Sequence, residues 1–116
     1  MKKIYLLISF CFFPQFLNAQ SCDAPEFTSQ QQLDNFKIQN PGCKTILGSV
    51  SITGADITNL NGLSNITRVI GDVTIINNAT LSNMTGLESL TDINGRLTIN
   101  NNPAMSNVNG LGALTN

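Results

Sequence analysis

Histidine and tryptophan are absent from the 116 residues, tyrosine occurs once, and only 11% of the chain is charged. Without histidine no Ser-His-Asp or Cys-His catalytic arrangement can be assembled, and no imidazole can complete a zinc site. Basic residues are few and scattered, so the basic stripe that sequence-independent nucleic-acid binding requires is missing. Long apolar runs are also missing. The longest, Ile4 to Phe13, has ten residues interrupted by Ser9, too short to cross a ~30 Å hydrocarbon core as a helix.

That run has another use. Lys2 and Lys3 precede it, Pro14 and Gln15 break it, and Leu17-Asn18-Ala19 ends on a small residue. This is the layout of a signal peptide over residues 1–19, so the expectation is a secreted or cell-surface protein with no membrane span after cleavage. An uncleaved anchor and lipidation at Cys22 are the alternatives. Against the second, Ala19-Gln20-Ser21 lacks the leucine and small-residue pattern of a lipidation signal. Loss of the leader leaves Lys37, Lys44, Arg68 and Arg96 against seven acids, a net charge of −3. It also removes Cys11 and leaves Cys22 and Cys43 flanking a 20-residue segment. In an oxidising compartment such a pair bridges most simply with itself, which in the chain-entropy model is worth about 3 kcal/mol.

What the sequence has in abundance is repetition. Gly48-Ser49-Val50-Ser51-Ile52, Gly71-Asp72-Val73-Thr74-Ile75 and Gly95-Arg96-Leu97-Thr98-Ile99 align. Downstream, Ile57, Leu81 and Met105 recur at intervals of 24, as do Leu60, Met84 and Val108, then Leu63, Leu87 and Leu111, then Ile66, Leu90 and Leu114. The alternating Val-x-Ile and Leu-x-Ile segments predict one short strand per period with both apolar side chains on one face. Gly54, Asn77-Asn78 and Asn101-Asn102-Pro103 predict a turn after each strand. Apolar residues every third position along the return fit a 3₁₀-like path. A unit of this kind cannot bury its own apolar face, so units must stack. The expected fold is mainly β: a solenoid of about three ~24-residue coils whose strands form a parallel sheet.

Residues 20–47 read as a cap on that stack. Thr28 or Ser29 is placed to N-cap a short helix, with Gln31 or Gln32 as the capping-box partner. Phe27 is placed to act as a staple, Leu33 and Phe36 form one apolar face, and Asn40-Pro41-Gly42 ends the helix. Residues 48–116 are the repeats, and their C-terminal coil is expected to need further repeats or a partner over it. Asn77 and Asn78 should stack under Asn101 and Asn102 as a structural asparagine ladder satisfying turn backbone groups. Ser51, Thr74 and Thr98 point outward from the strands and form the candidate binding face.

The pattern Gly-Asp-Val-Thr-Ile…Asn-Asn-x-x-Leu-x-x-Met-x-Gly-Leu-x-x-Leu-Thr resembles the receptor L-domain repeats of insulin- and EGF-receptor-like ectodomains. It is most similar to secreted bacterial versions, in which a Cys-helix-Cys segment precedes the repeats. The resemblance covers about residues 22–116. It implies a right-handed, leucine-rich solenoid and an extracellular binding or adhesion role toward a protein or a glycan, without catalysis, cofactor or metal.

Two other roles are compatible with the residues: a purely structural N-terminal part of a longer surface protein, and an ice-binding threonine array. The second is weakened by the next outward column, Thr53, Ile76 and Asn100. Asp72, Glu88 and Asp92 are the carboxylates that acid–base chemistry would have to use, and the repeat implies no pocket around them. Three Asn-x-Thr sequons, at Asn65, Asn78 and Asn83, follow from an Asn- and Thr-rich composition. The cysteine reading has a direct check. Exported protein should gain the mass of two hydrogens on reduction and accept two thiol-blocking groups only afterwards; an unchanged mass removes the bridge.

Overall fold

The computed structural model describes residues 21–115; the expected signal peptide lies outside them. Among the described residues the strands are β1 (Ser21–Cys22), β2 (Glu26–Phe27), β3 (Thr45–Ile46), β4 (Val50–Ile52), β5 (Arg68–Val69), β6 (Val73–Ile76), β7 (Asp92–Ile93) and β8 (Leu97–Asn100). One α-helix, α1 (Gln30–Gln39), follows β2. Two short 3₁₀ turns, Asn61–Leu63 and Asn109–Leu111, lie on the return paths.

The strands build two parallel four-stranded sheets, β1-β3-β5-β7 and β2-β4-β6-β8. The molecule is therefore a small α/β domain with two parallel sheets and a helix. This corrects the expected mainly β, right-handed solenoid of three coils. Two physical reasons account for the difference. The strands of the first sheet are two residues long and carry one apolar side chain each beyond Cys22, namely Ile46, Val69 and Ile93, so they show no alternation. And the segment before residue 48 is not merely a lid: β1 and β2 pair in the same register as later strands, Ser21 with Thr45 and Phe27 with Ile52, which makes four tiers.

The core lies between the sheets and the return segments. Phe27, Ile52 and Ile75 are aligned by the second sheet, and Ile46, Val69 and Ile93 by the first; all are buried. The returns contribute Ile57, Leu60, Leu81 and Met84, each fully buried. In the first tier α1 takes the place of a return. Ser29 caps it, its hydroxyl accepting from the Gln32 backbone N–H at 3.3 Å. Gln32 reaches back one residue beyond the cap, its Oε1 accepting from the Thr28 N–H at 2.6 Å. Leu33 and Phe36 are the helix's buried side chains, and Phe36 meets Phe27 edge-on at 5.4 Å. Gln30 docks the helix start on the next tier, its Oε1 accepting from the N–H groups of Thr58 at 2.8 Å and Asn59 at 3.2 Å. The Cys22–Cys43 disulfide ties β1 to the chain leaving the helix.

Polar side chains hold one tier to the next. Asn78 is fully buried. Its Oδ1 accepts from the Gly54 N–H at 2.8 Å, and its Nδ2 donates to the Ile52 carbonyl at 3.1 Å and to Asn102 Oδ1 at 2.9 Å. Asn102 repeats the pattern one tier on, accepting from the Asn78 N–H at 3.0 Å and donating to the Ile75 carbonyl at 2.9 Å. Beside them Asn101 Nδ2 donates to Asn77 Oδ1. Asn77 and Asn101 have φ of 59° and 55°, a left-handed conformation that asparagine tolerates better than most residues. Gly54 occupies the position of Asn78 and Asn102 a tier earlier, its N–H bonded to Asn78 as that of Asn78 is to Asn102, and a Cβ there would collide with the Thr28 backbone at the helix cap. The asparagine column therefore stops where the helix begins.

Two substitutions test this packing. Asn78→Ala leaves the buried Gly54 N–H without its partner and removes the side-chain donor from the Ile52 carbonyl, which keeps its ladder pairing with β6; at about 1–3 kcal/mol for the orphaned group, urea unfolding should show a loss of about 2 kcal/mol. Gly86 has φ of 116°, and a Cβ there would overlap the Leu60 backbone. Gly86→Ala should cost at least about 2 kcal/mol, whereas Ala at exposed Ser89 should be nearly neutral.

Candidate functional site

Parallel pairing fixes which side chains share the outer face of the second sheet. Register aligns Glu26, Ser51, Thr74 and Thr98 in one column. All three sequence-predicted binding residues are brought together there, with neighbours ~4.8 Å apart as in any sheet. Each is half-buried. Glu26 was not anticipated, because its two-residue strand lacks the Val-x-Ile signature. It places a carboxylate at one end of the hydroxyl column. A second outward column carries Ile76 paired with Asn100, with Thr53 just beyond β4. The outer surface is thus hydroxyl-rich with an apolar step, and not a uniform threonine array.

The outer face of the first sheet is different. Ser21, Thr45, Arg68 and Asp92 are aligned, and Arg68 donates to Asp92 at 3.2 Å. An exposed pair of this kind is worth at most about 1 kcal/mol. Leu47 and Ile70, both exposed, follow β3 and β5 at the corner between the sheets.

The carboxylates that acid–base chemistry would need are separated and individually engaged. Asp72 Oδ1 accepts from the Arg96 N–H at 2.7 Å, Glu88 Oε1 from the Gly86 N–H at 2.7 Å, and Asp92 pairs with Arg68. Each tethers backbone or a neighbouring strand, and no two face each other across a cleft. Among the described residues no group of three or more His, Cys, Asp or Glu side chains converges to hold a metal ion. No helix among them is long and apolar enough to cross a membrane.

The asparagine ladder lies at the far end of the second sheet, in the turn after each strand, and Asn78 and Asn102 point into the protein. Its contacts are to backbone and to each other, so it orders the turns that frame the outer face. Two more columns escaped the sequence reading. Thr67, Thr91 and Thr115 each donate a hydroxyl hydrogen bond to the preceding tier, to the carbonyls of Lys44, Thr67 and Thr91 at 3.1–3.3 Å. Asn59, Asn83 and Asn107 each accept from the N–H two residues on, closing an Asx turn. The signal for both was present: each set recurs at intervals of 24, like the apolar positions.

The receptor L domain family model matches residues 42–113, a span that runs from the end of the first tier through β3 to β8. No curated protein and no solved structure matches the chain. Receptor L domains are extracellular, non-catalytic, ligand-binding modules. The match covers more than half of the 116 residues and includes the strands that carry Ser51, Thr74 and Thr98, and on that basis the chain belongs to the receptor L domain family.

Proposed function

We propose that this chain is exported, with cleavage after Ala19, and acts outside the cell as a non-catalytic recognition module. On this reading residues 20–47 form the disulfide-tied first unit and residues 48–116 carry the binding surface. The outer face of the β2-β4-β6-β8 sheet binds an extracellular protein or glycan. The observation that carries the proposal is the register of Ser51, Thr74 and Thr98 on one parallel sheet.

Physical chemistry favours that face over the others. A hydroxyl both donates and accepts, so the column can meet backbone amides or sugar hydroxyls alike. The side chains are short, and the two threonines are stiff at χ1, so little conformational freedom is lost on binding. Backbone pairing on both sides of Ser51 and Thr74 holds their strands in register. The outer face of the first sheet spends its charges on the Arg68–Asp92 pair.

The test uses a glycan microarray and a panel of purified extracellular-matrix proteins as probes. The triple variant Ser51→Ala, Thr74→Ala, Thr98→Ala should keep its far-UV spectrum and its disulfide while losing about tenfold or more in affinity, the equivalent of about 1.4 kcal/mol. Undiminished binding by the folded triple variant would show that this face is the wrong surface.

A further inference from the structure

The asparagine column at 59, 83 and 107 runs along the return segments. Between the third and fourth tiers it borders a cleft of about 300 Å³ lined by Asn83, Thr85, Glu88, Asn107, Asn109 and Gly110. The two tiers are locked together at this point. The Ser106 N–H donates to the Ser82 carbonyl at 3.2 Å, immediately before Asn107 and Asn83, and a Cβ on Gly110 would collide with the Met84 carbonyl. The two asparagines are therefore held side by side, one tier apart. Their carboxamides are oriented as well. Asn83 Oδ1 accepts from the Thr85 N–H at 2.9 Å, and Asn107 Oδ1 from the Asn109 N–H at 3.1 Å. Each Nδ2 carries two hydrogens, and the hydroxyl of the preceding serine, at 3.4 Å, takes one of them. The turn thus aims the second as a donor. Glu88 adds the opposite function. Its Oε1 accepts from the Gly86 N–H at 2.7 Å, and a carboxylate keeps further lone pairs beyond that one. The asparagines follow the repeat, but this carboxylate departs from it. The position 24 residues earlier is Ser64, bonded by Lys37 Nζ at 2.7 Å, and the position 24 residues later is Gly112.

From this we infer that the cleft is a second ligand site, which takes one neutral sugar unit of a glycan. Oxygens of the sugar accept from Asn83 and Asn107 Nδ2, and a neighbouring hydroxyl donates to Glu88. Two donors one strand spacing apart, about 4.8 Å, can reach oxygens of the same ring. Volume supports a ligand of that size, because the cleft lies at the small end of the range for ligand sites, about 300–1,000 Å³. A protein partner would need about 800 Å² of surface on each side. Charge selects the class of sugar. Among the described residues no lysine or arginine lines the cleft. Glu88 stands in it, and residues 20–116 carry four basic against seven acidic side chains. Sulfate and uronate groups are therefore repelled. The site lies on the return segments and not on β4, β6 and β8, so it does not rest on the hydroxyl face proposed above.

The probes are cellohexaose and chitohexaose, with a heparin hexasaccharide as the anionic comparison, each titrated into isotope-labelled, disulfide-bonded protein. With a neutral sugar, saturable NMR shifts are expected in the side-chain amides of Asn83 and Asn107. Two conservative variants separate binding from folding. Asn83→Asp with Asn107→Asp keeps an oxygen to accept from each turn N–H and removes both donors. Glu88→Gln keeps an acceptor for the Gly86 N–H and removes the carboxylate. Each should retain the far-UV spectrum and bind the sugar about tenfold or more weakly; a column with a structural role alone would leave the affinity unchanged. Should a variant lose its fold, the shift map of the unsubstituted protein decides. The inference is overturned by unchanged affinity in either folded variant, by no saturable shift with either neutral sugar at millimolar concentration, or by binding of heparin alone. Shifts confined to Ser51, Thr74 and Thr98 would overturn it while supporting the hydroxyl face, so the two failures are distinguishable.

Discussion

A carboxamide that has lost all contact with water must find a partner for its oxygen and for each N–H, or the tier that holds it opens. Asn78 meets that demand by reaching into two neighbouring tiers at once, to Ile52 and Gly54 on one side and Asn102 on the other. The hydrogen bonds are short only when the strands are paired as observed, Ile52 beside Ile75 and Ile75 beside Ile99. A slip of one residue would turn every apolar side chain of a strand to the outer face and would also orphan the buried amide. The asparagine therefore reinforces the register that the apolar pattern prefers, and both sheets inherit it.

At the first tier a helix stands in for a return segment. Ser29 and Gln32 set where α1 starts, Phe27 and Phe36 fill the space beneath Ile52, and Gln30 bonds the backbone of Thr58 and Asn59. The disulfide closes this tier from the other side. Among the described residues the return after β8 is less buried than its equivalents, with Val108 the clearest case. The proposed recognition face lies on strands β4, β6 and β8, of which β4 and β6 are paired on both sides. Rigidity there has a cause in the core below it, where Val50, Val73, Ile52 and Ile75 anchor the inward side of the same residues' strands.

Much of this is legible in the residues. The alternation in Val50-Ser51-Ile52 and its two relatives reveals the second sheet, its inward side and its outward hydroxyls. The segment Thr28-Ser29 through Phe36 reveals the helix. What escaped has a physical explanation in each case. Thr45–Ile46, Arg68–Val69 and Asp92–Ile93 are too short for a period of two to register, so the first sheet, and with it the α/β character of the domain, was hidden. Glu26 entered the hydroxyl column unannounced because its strand is formed by pairing with Ser51 and Ile52 and not by its own propensity. The threonine column at 67, 91 and 115 shares the period of 24, but its role depends on hydroxyls that reach the carbonyls of the tier before, which the sequence does not show.

By itself the sequence determined the period of 24, the inward and outward residues of β4, β6 and β8, the helix with its cap, and the pairing of Cys22 with Cys43. These follow from local rules, because alternation, capping and cysteine count depend on neighbours in the chain. Only the tertiary structure decided that the described residues form two sheets and four tiers and that Gly54 must lack a side chain. Those depend on contacts between residues more than twenty positions apart, and a strand two residues long exists only because another strand lies beside it.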